Sequence, residues 1–227
     1  MGCVALFDID GTLISTGGAG RRAIRAGLRQ VVGRPVNPEF SFAGMTDRAI
    51  MRRALEQAGE TVDDRRIDAA IDAYLSVLQE EVQRAEDYRV FPGVESLLEG
   101  LVVRDEVALG LGTGNARRGA TIKLSRAGLN RYFEFGGFGC EWECRRELIR
   151  SGIERGASRL GVSAGQCRTV VIGDTPADVD AGRSNGADVL AVSTGSVSAK
   201  RLRECQPDWL VSSLADRTAR AVFEQGG

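Results

Sequence analysis

The sequence predicts an α/β protein, a doubly wound parallel sheet carrying an inserted α-helical domain. Three observations predict it. An unbroken apolar run at Cys3–Phe7 is followed at once by acids and a glycine, as in a strand buried on both faces of a parallel sheet. From residue 89 onward, short apolar runs alternate with amphipathic segments of helical length, the pattern of a sheet covered by helices on both sides. Between them, residues 15–88 show helical periodicity only. The expected division is a core of residues 1–14 and 89–227 with a helical domain at 15–88, a size that 227 residues accommodate.

The elements follow in order. Gly11 stops the first strand, and the Ser/Gly-rich stretch 15–20 reads as a flexible link. Residues 21–32 have helical patterning, closed by Gly33 and Pro35. A loop through Pro38 leads to Gly44-Met45-Thr46-Asp47, where Thr46 or Asp47 can cap the next helix. That helix carries Ile50, Met51, Ala54, Leu55 and Ala58 on one stripe and ends at Gly59. A longer one over 64–85 repeats Ile67, Ile71, Tyr74, Leu75, Leu78 and Val82. After Phe91-Pro92-Gly93 strands return. A helix at 94–103 precedes a strand at 107–111, and a helix at 115–127 precedes one at 133–138. A helix at 145–160, a strand at 168–172, a helix at 177–185, a strand at 189–192 and two terminal helices complete the chain.

Composition excludes several functions. A net charge of −1 rules out a broadly basic surface, so nucleic acid is not an expected partner. No leader pattern and no run of 18 apolar residues appears, so no membrane partner is expected either. Five cysteines are an odd number in a chain large enough to need no disulfides, which suits a reducing cytoplasm. Cys140 and Cys144 have neither a second pair nor a histidine to complete a zinc site. The chain has no histidine, which removes imidazole general bases and every His-ligated metal. Of 30 lysines and arginines, only Lys123 and Lys200 are lysines.

Polar clusters close the predicted core strands. Asp8 and Asp10 follow the first, on the rim where ligands of open α/β sheets bind, and Gly11 lets the backbone re-aim Asp10. Two crowded carboxylates repel unless a cation or a shared proton relieves them. Gly112-Thr113-Gly114-Asn115 follows the strand at 107–111; its hydroxyl and open amides form a cradle for a phosphate or carboxylate, or an ordinary capped turn. Gly173-Asp174-Thr175-Pro176-Ala177-Asp178 follows the strand at 168–172, with Asp178 about one helical turn beyond Asp174. Asp8, Asp10, Asp174 and Asp178 together offer an oxygen-rich site for a hard cation, magnesium first. Arg145-Arg146 opens the helix after the strand at 133–138; a guanidinium there can neutralise phosphate charge, or simply lie in solvent.

Asp8-Ile9-Asp10-Gly11-Thr12-Leu13, Thr113, a basic residue and Gly173-Asp174-Thr175-Pro176-Ala177-Asp178, in that order, resemble the haloacid dehalogenase superfamily, phosphoglycolate-phosphatase-like members included. The helical insertion lies where that family's first-type cap lies. The resemblance implies a Rossmann-like core, a mobile cap and magnesium-dependent phosphoryl transfer from a small phosphorylated metabolite through an aspartyl-phosphate. Asp8 would be nucleophile and metal ligand, and Asp10 general acid then base, with its backbone carbonyl on the metal. Thr113 and Gly114 would bind the phosphoryl oxygens, Asp174 the metal, and Asp178 the metal or its surroundings. The family usually has a lysine in its third motif; here Arg145 fills that place best, with Arg146 the alternative. Gly44-x-Thr46-Asp47 resembles a cap loop of phosphoglycolate-type phosphatases.

Two other functions compete. A sugar-phosphate mutase uses the same core, but 15–88 contains neither histidine nor lysine to link its half-reactions. A phospho-acceptor signalling domain also combines acids, threonine and magnesium, but it is about half this length and lacks such an insertion. The expectation is therefore a cytoplasmic magnesium-dependent phosphatase, monomeric or homodimeric.

Overall fold

The first strand, β1 (Cys3–Phe7), runs through the middle of the molecule, and all five of its residues are buried. Alternation splits them: Cys3, Ala5 and Phe7 enter one apolar core, while Val4 and Leu6 enter another with Leu148, Ile149 and Val171. Fully burying side chains such as Leu6 and Phe7 contributes about 1.5–3 kcal/mol each. The computed structural model describes residues 2–224; residue 1 and residues 225–227, the outer ends of the expected core, lie outside the described residues.

Next come β2 (Ile14–Thr16), α1 (Ala19–Val32), α2 (Asp47–Gln57), α3 (Asp64–Arg84) and β3 (Tyr88–Val90). The remainder alternates as α4 (Val94–Val102), β4 (Val107–Thr113), α5 (Arg117–Ser125), β5 (Phe135–Phe138), α6 (Arg145–Arg159), β6 (Arg168–Gly173), α7 (Pro176–Ser184) and β7 (Asp188–Val192). It ends with α8 (Ala199–Glu204), β8 (Trp209–Val211) and α9 (Arg217–Ala221). A Rossmann-like parallel sheet of six strands results, in the order β5-β4-β1-β6-β7-β8. Strand order reverses beside β1, whose neighbours β4 and β6 come from opposite directions of winding, and ligands bind at such a switch point.

Helices α1, α2 and α3 share an apolar cluster of their own, including Ile24, Leu28, Met51, Leu55, Tyr74 and Leu78. Thr46 caps α2 by accepting from the Ala49 N–H, and Asp63 caps α3 by accepting from the Arg66 N–H. Each such cap stabilises a helix by about 1 kcal/mol.

Two expectations are corrected. The stretch 15–88 is not wholly helical: β2 and β3 pair antiparallel, Ile14 with Val90, Ser15 with Arg89 and Thr16 with Tyr88. Ser15 and Thr16 thus belong to a ribbon, not to a loose link, because each strand supplies the other's backbone partners. The edge strand β8 also went unforeseen between the terminal helices. At three residues apiece, these strands are too short to show a period.

Candidate active site

Register brings three polar strand ends together. Phe7 lies opposite Leu111 of β4 and Ile172 of β6, so Asp8 emerges between the Thr113 and Asp174 termini. Gly11 follows with φ +88°, and a Cβ there would stand 2.3 Å from an Asp174 carboxylate oxygen. The Thr12 hydroxyl donates to Asp174 Oδ1 at 3.2 Å.

Asp8, Asp174 and Asp178 are all buried, each with one carboxylate oxygen within 4.8 Å of the others'. Burial pushes Asp8 up to about 6, with Arg145 opposing and Asp178 and Asp10 adding to the rise. Asp174 is pushed up to about 8, first by burial and then by Asp8 and Asp178. Like charges confined in a space of low polarity raise one another in this way. Carboxylate oxygens are what a hard divalent cation takes as ligands, so Asp8 and Asp174 fit magnesium.

Arg145 is the cation already in this group. It is 8% exposed at the first turn of α6, donating to Asp178 Oδ1 from Nε at 2.9 Å and from Nη2 at 2.6 Å. Its Nη2 also lies 3.2 Å from Asp8 Oδ1. Arg146 points elsewhere, exposed and 3.8 Å from Asp180. The other oxygen of Asp178 accepts from the Thr175 N–H at 3.0 Å and hydroxyl at 2.7 Å, a capping box at the start of α7. Four hydrogen bonds fill the acceptor capacity of that carboxylate and set it behind Arg145.

Asp10 is turned out of the acidic group. Its half-exposed carboxylate accepts at Oδ2 from Asn115 Nδ2 at 2.8 Å and Lys123 Nζ at 2.6 Å. Thr113 is fully buried, its hydroxyl accepting from the Asn115 N–H and side-chain amide. Gly114 reaches the cavity surface, and a Cβ there would stand 2.2 Å from the Met45 carbonyl oxygen. This close approach lets the Gly114 carbonyl accept from the Asp47 N–H at 2.7 Å.

A cavity of about 490 Å³ opens above these residues. Asp8, Asp10 and Asp174 line its floor, while Arg21, Phe42 and Met45 line the side of the helical block. The loop before α2 therefore faces the cavity through Gly44, Met45 and Asp47, and Thr46 is its buried helix cap. Asp47 accepts from the Ala116 N–H at 2.7 Å, and burial pushes its carboxyl up to about 6 against the opposing charge of Lys123.

Sequence reasoning left the roles of several of these residues open. Lys123 stands out there as one of two lysines among many arginines and follows Arg145 and Arg146 as a candidate phosphate cation, and Asn115 ends the Gly112–Asn115 cradle or caps a turn, but neither is tied to Asp10. Thr194-Gly195-Ser196 after β7 also lines the cavity; this small polar cluster after an apolar run repeats the pattern of the other strand ends. Cys140 accepts from the Arg117 N–H at 3.4 Å and Cys144 is exposed, and among the described residues neither joins a metal-ligating group. Among those residues, too, no helix is long and apolar enough to cross a membrane.

A buried acidic cluster with one arginine thus lies at the switch point of a parallel sheet, beneath a helical insertion. The model of the haloacid dehalogenase-like hydrolase family matches residues 5–192, and the chain belongs to that family. Among its relatives is the probable phosphatase IndB of Dickeya dadantii (strain 3937), 27% identical over 94% of this chain and 90% of that protein. The phosphoglycolate phosphatase of Synechococcus elongatus is 26% identical over 93% of each chain. In fold, the chain is similar to the β-phosphoglucomutase of Clostridium difficile, with a TM-score of 0.71, 22% identity and coverage of 99% and 96%.

Proposed function

We propose that the protein is a magnesium-dependent phosphatase that hydrolyses a small phosphorylated metabolite through an aspartyl-phosphate on Asp8. The observation that carries this reading is the Asp8 carboxylate: it ends the central strand, lies 3.2 Å from a buried guanidinium and faces a cavity of metabolite size. The relatives named as phosphatases support it.

In the first half-reaction an Asp8 oxygen bonds to phosphorus as the ester P–O bond breaks. The electron pair stays on the leaving oxygen, which takes a proton from Asp10. In the second, water attacks phosphorus, Asp10 takes its proton, and the acyl-phosphate bond breaks to return Asp8 and inorganic phosphate. Arg145 holds Asp8 ionised and offsets charge on the phosphoryl oxygens, which Thr113 and Gly114 receive at the end of β4. Asp8, Asp174 and the Asp10 backbone carbonyl would hold magnesium, with Asp178 supporting Arg145. A bound magnesium ion neutralises phosphoryl charge that would otherwise repel the carboxylate nucleophile. Residues 15–88 form a cap whose cavity wall selects the leaving group.

The test is release of inorganic phosphate from a panel of phosphorylated metabolites by wild type and Asp8→Asn. The amide keeps the size of Asp8 but cannot attack phosphorus, so turnover is expected to vanish in a folded protein. Near-wild-type activity in Asp8→Asn removes Asp8 from the role. A mutase would move phosphate without net release, and a phospho-acceptor module would keep the label after one turnover.

A further inference from the structure

Lys123 lies on α5, far in sequence from the first motif, yet its amine reaches the cavity floor with the side chain only 7% exposed. It donates to Asp10 Oδ2 at 2.6 Å and to Asn115 Oδ1 at 2.5 Å. Asn115 donates in turn to the same Asp10 oxygen at 2.8 Å and to the Thr113 hydroxyl at 2.9 Å. The three side chains form a closed triangle hung from the end of β4. The helical block covers it: a Cβ at Gly20, in the first turn of α1, would come within 3.3 Å of the Lys123 amine.

The triangle acts on one oxygen. A half-exposed aspartate just after a strand is free to change rotamer, but two donors on Oδ2 hold the carboxyl in one orientation. An oxygen that accepts from both an ammonium and an amide has no place for the acid proton, so a proton carried by Asp10 sits on Oδ1. Lysine suits the position: its ammonium is a compact charge with three donors, two of which are used here.

We propose that Lys123, together with Asn115, is a positioning residue that fixes Asp10 so that Oδ1 addresses the leaving oxygen of the substrate. This rests on the phosphatase reading, in which that oxygen takes the Asp10 proton as the P–O bond breaks. Lys123 touches neither phosphorus nor the nucleophile; it acts through Asp10. Misplacing a reacting group by about 1 Å costs about 10²-fold in rate, and only where that group is needed.

Leaving-group dependence separates this role from a structural one. p-Nitrophenolate departs without a proton, whereas an alkoxide requires one. Lys123→Met keeps the length of the side chain and removes the clamp. Its kcat/KM is expected to fall about 10²-fold for glycerol phosphate. For p-nitrophenyl phosphate the fall should stay within a few-fold. Asn115→Ala opens the other arm and should give the same pattern, which serves if Lys123→Met does not fold. Equal losses on both esters, or no loss on either, in a variant melting as wild type does, would overturn the inference while leaving the phosphatase reading intact. Equal phosphate release by wild type and Asp8→Asn would overturn that reading and the inference with it.

Discussion

Replacing Arg145 by alanine removes a guanidinium that is 8% exposed and hydrogen-bonded to two buried carboxylates. Asp178, with no exposed surface, would keep only its Thr175 donors, and Asp8 would face Asp174 with no cation beside it. Breaking a buried pair by deleting one partner costs about 3–5 kcal/mol. At 2–4 °C per kcal/mol for a chain of this size, the melting temperature should fall by roughly 6–20 °C. Catalysis should fall about 10²–10³-fold, the usual worth of one positioned charge at a reacting centre. Arg146→Ala, about 100° around the helix and solvent-exposed, is expected to stay within about 0.5 kcal/mol of wild type. Adding Asp178→Leu to Arg145→Met should recover part of the lost stability without recovering turnover, because a buried pair can be replaced by packing but its chemistry cannot. Thermal unfolding and steady-state phosphate release on the purified variants decide the matter. An Arg145→Ala protein that melts within about 2 °C of wild type, or an Arg146→Ala protein damaged more than it, would refute the reasoning.

Activity is expected to disappear in EDTA and return with magnesium, and full activity after exhaustive chelation would eliminate the acidic group as a metal site. Stoichiometric zinc in the purified protein would instead point to Cys140 and Cys144. Folded values of about 6 for Asp8 and Asp47 and about 8 for Asp174 stand above the ~3.9 of free aspartate. The metal-free folded state therefore binds more protons than the unfolded chain between about pH 4 and 8, and its stability falls as pH rises through that window. Melting in EDTA should occur at lower temperature at pH 8 than at pH 6, and magnesium should raise it more at pH 8; a steady rise from pH 5 to 8 in EDTA would contradict this. Gly114→Ala places a methyl 2.2 Å from the Met45 carbonyl, so it should displace the loop before α2 and raise KM more than it lowers kcat; unchanged KM would show that this loop does not border bound substrate.

Much of the core was legible because its strands are long and apolar. Cys3–Phe7 and the run ending at Gly173 each deliver acids to the sheet rim, and strand direction alone puts Asp8 and Asp174 on the same edge. Arg145 and Arg146 were legible as a helix start, but which of them turns inward depends on where α6 begins, and a one-residue shift rotates the pair by about 100°. Lys123 was hidden for a different reason. Nothing local marks a lysine on an amphipathic helix as buried, and its partner Asp10 is a long-range neighbour that only the fold supplies. The ribbon and β8 escaped because their stability comes from a partner strand, not from any pattern within three residues.

The pairing of β2 with β3 makes the insertion a side branch on one stalk. Thr16 and Tyr88 sit opposite each other, so the chain leaves the sheet and returns to it at nearly the same point in space. Paired antiparallel residues stand about 5 Å apart, a gap that a two-residue turn closes. The seventy-odd residues beyond could thus be exchanged for an Asn-Gly hairpin with the strand order of the sheet untouched.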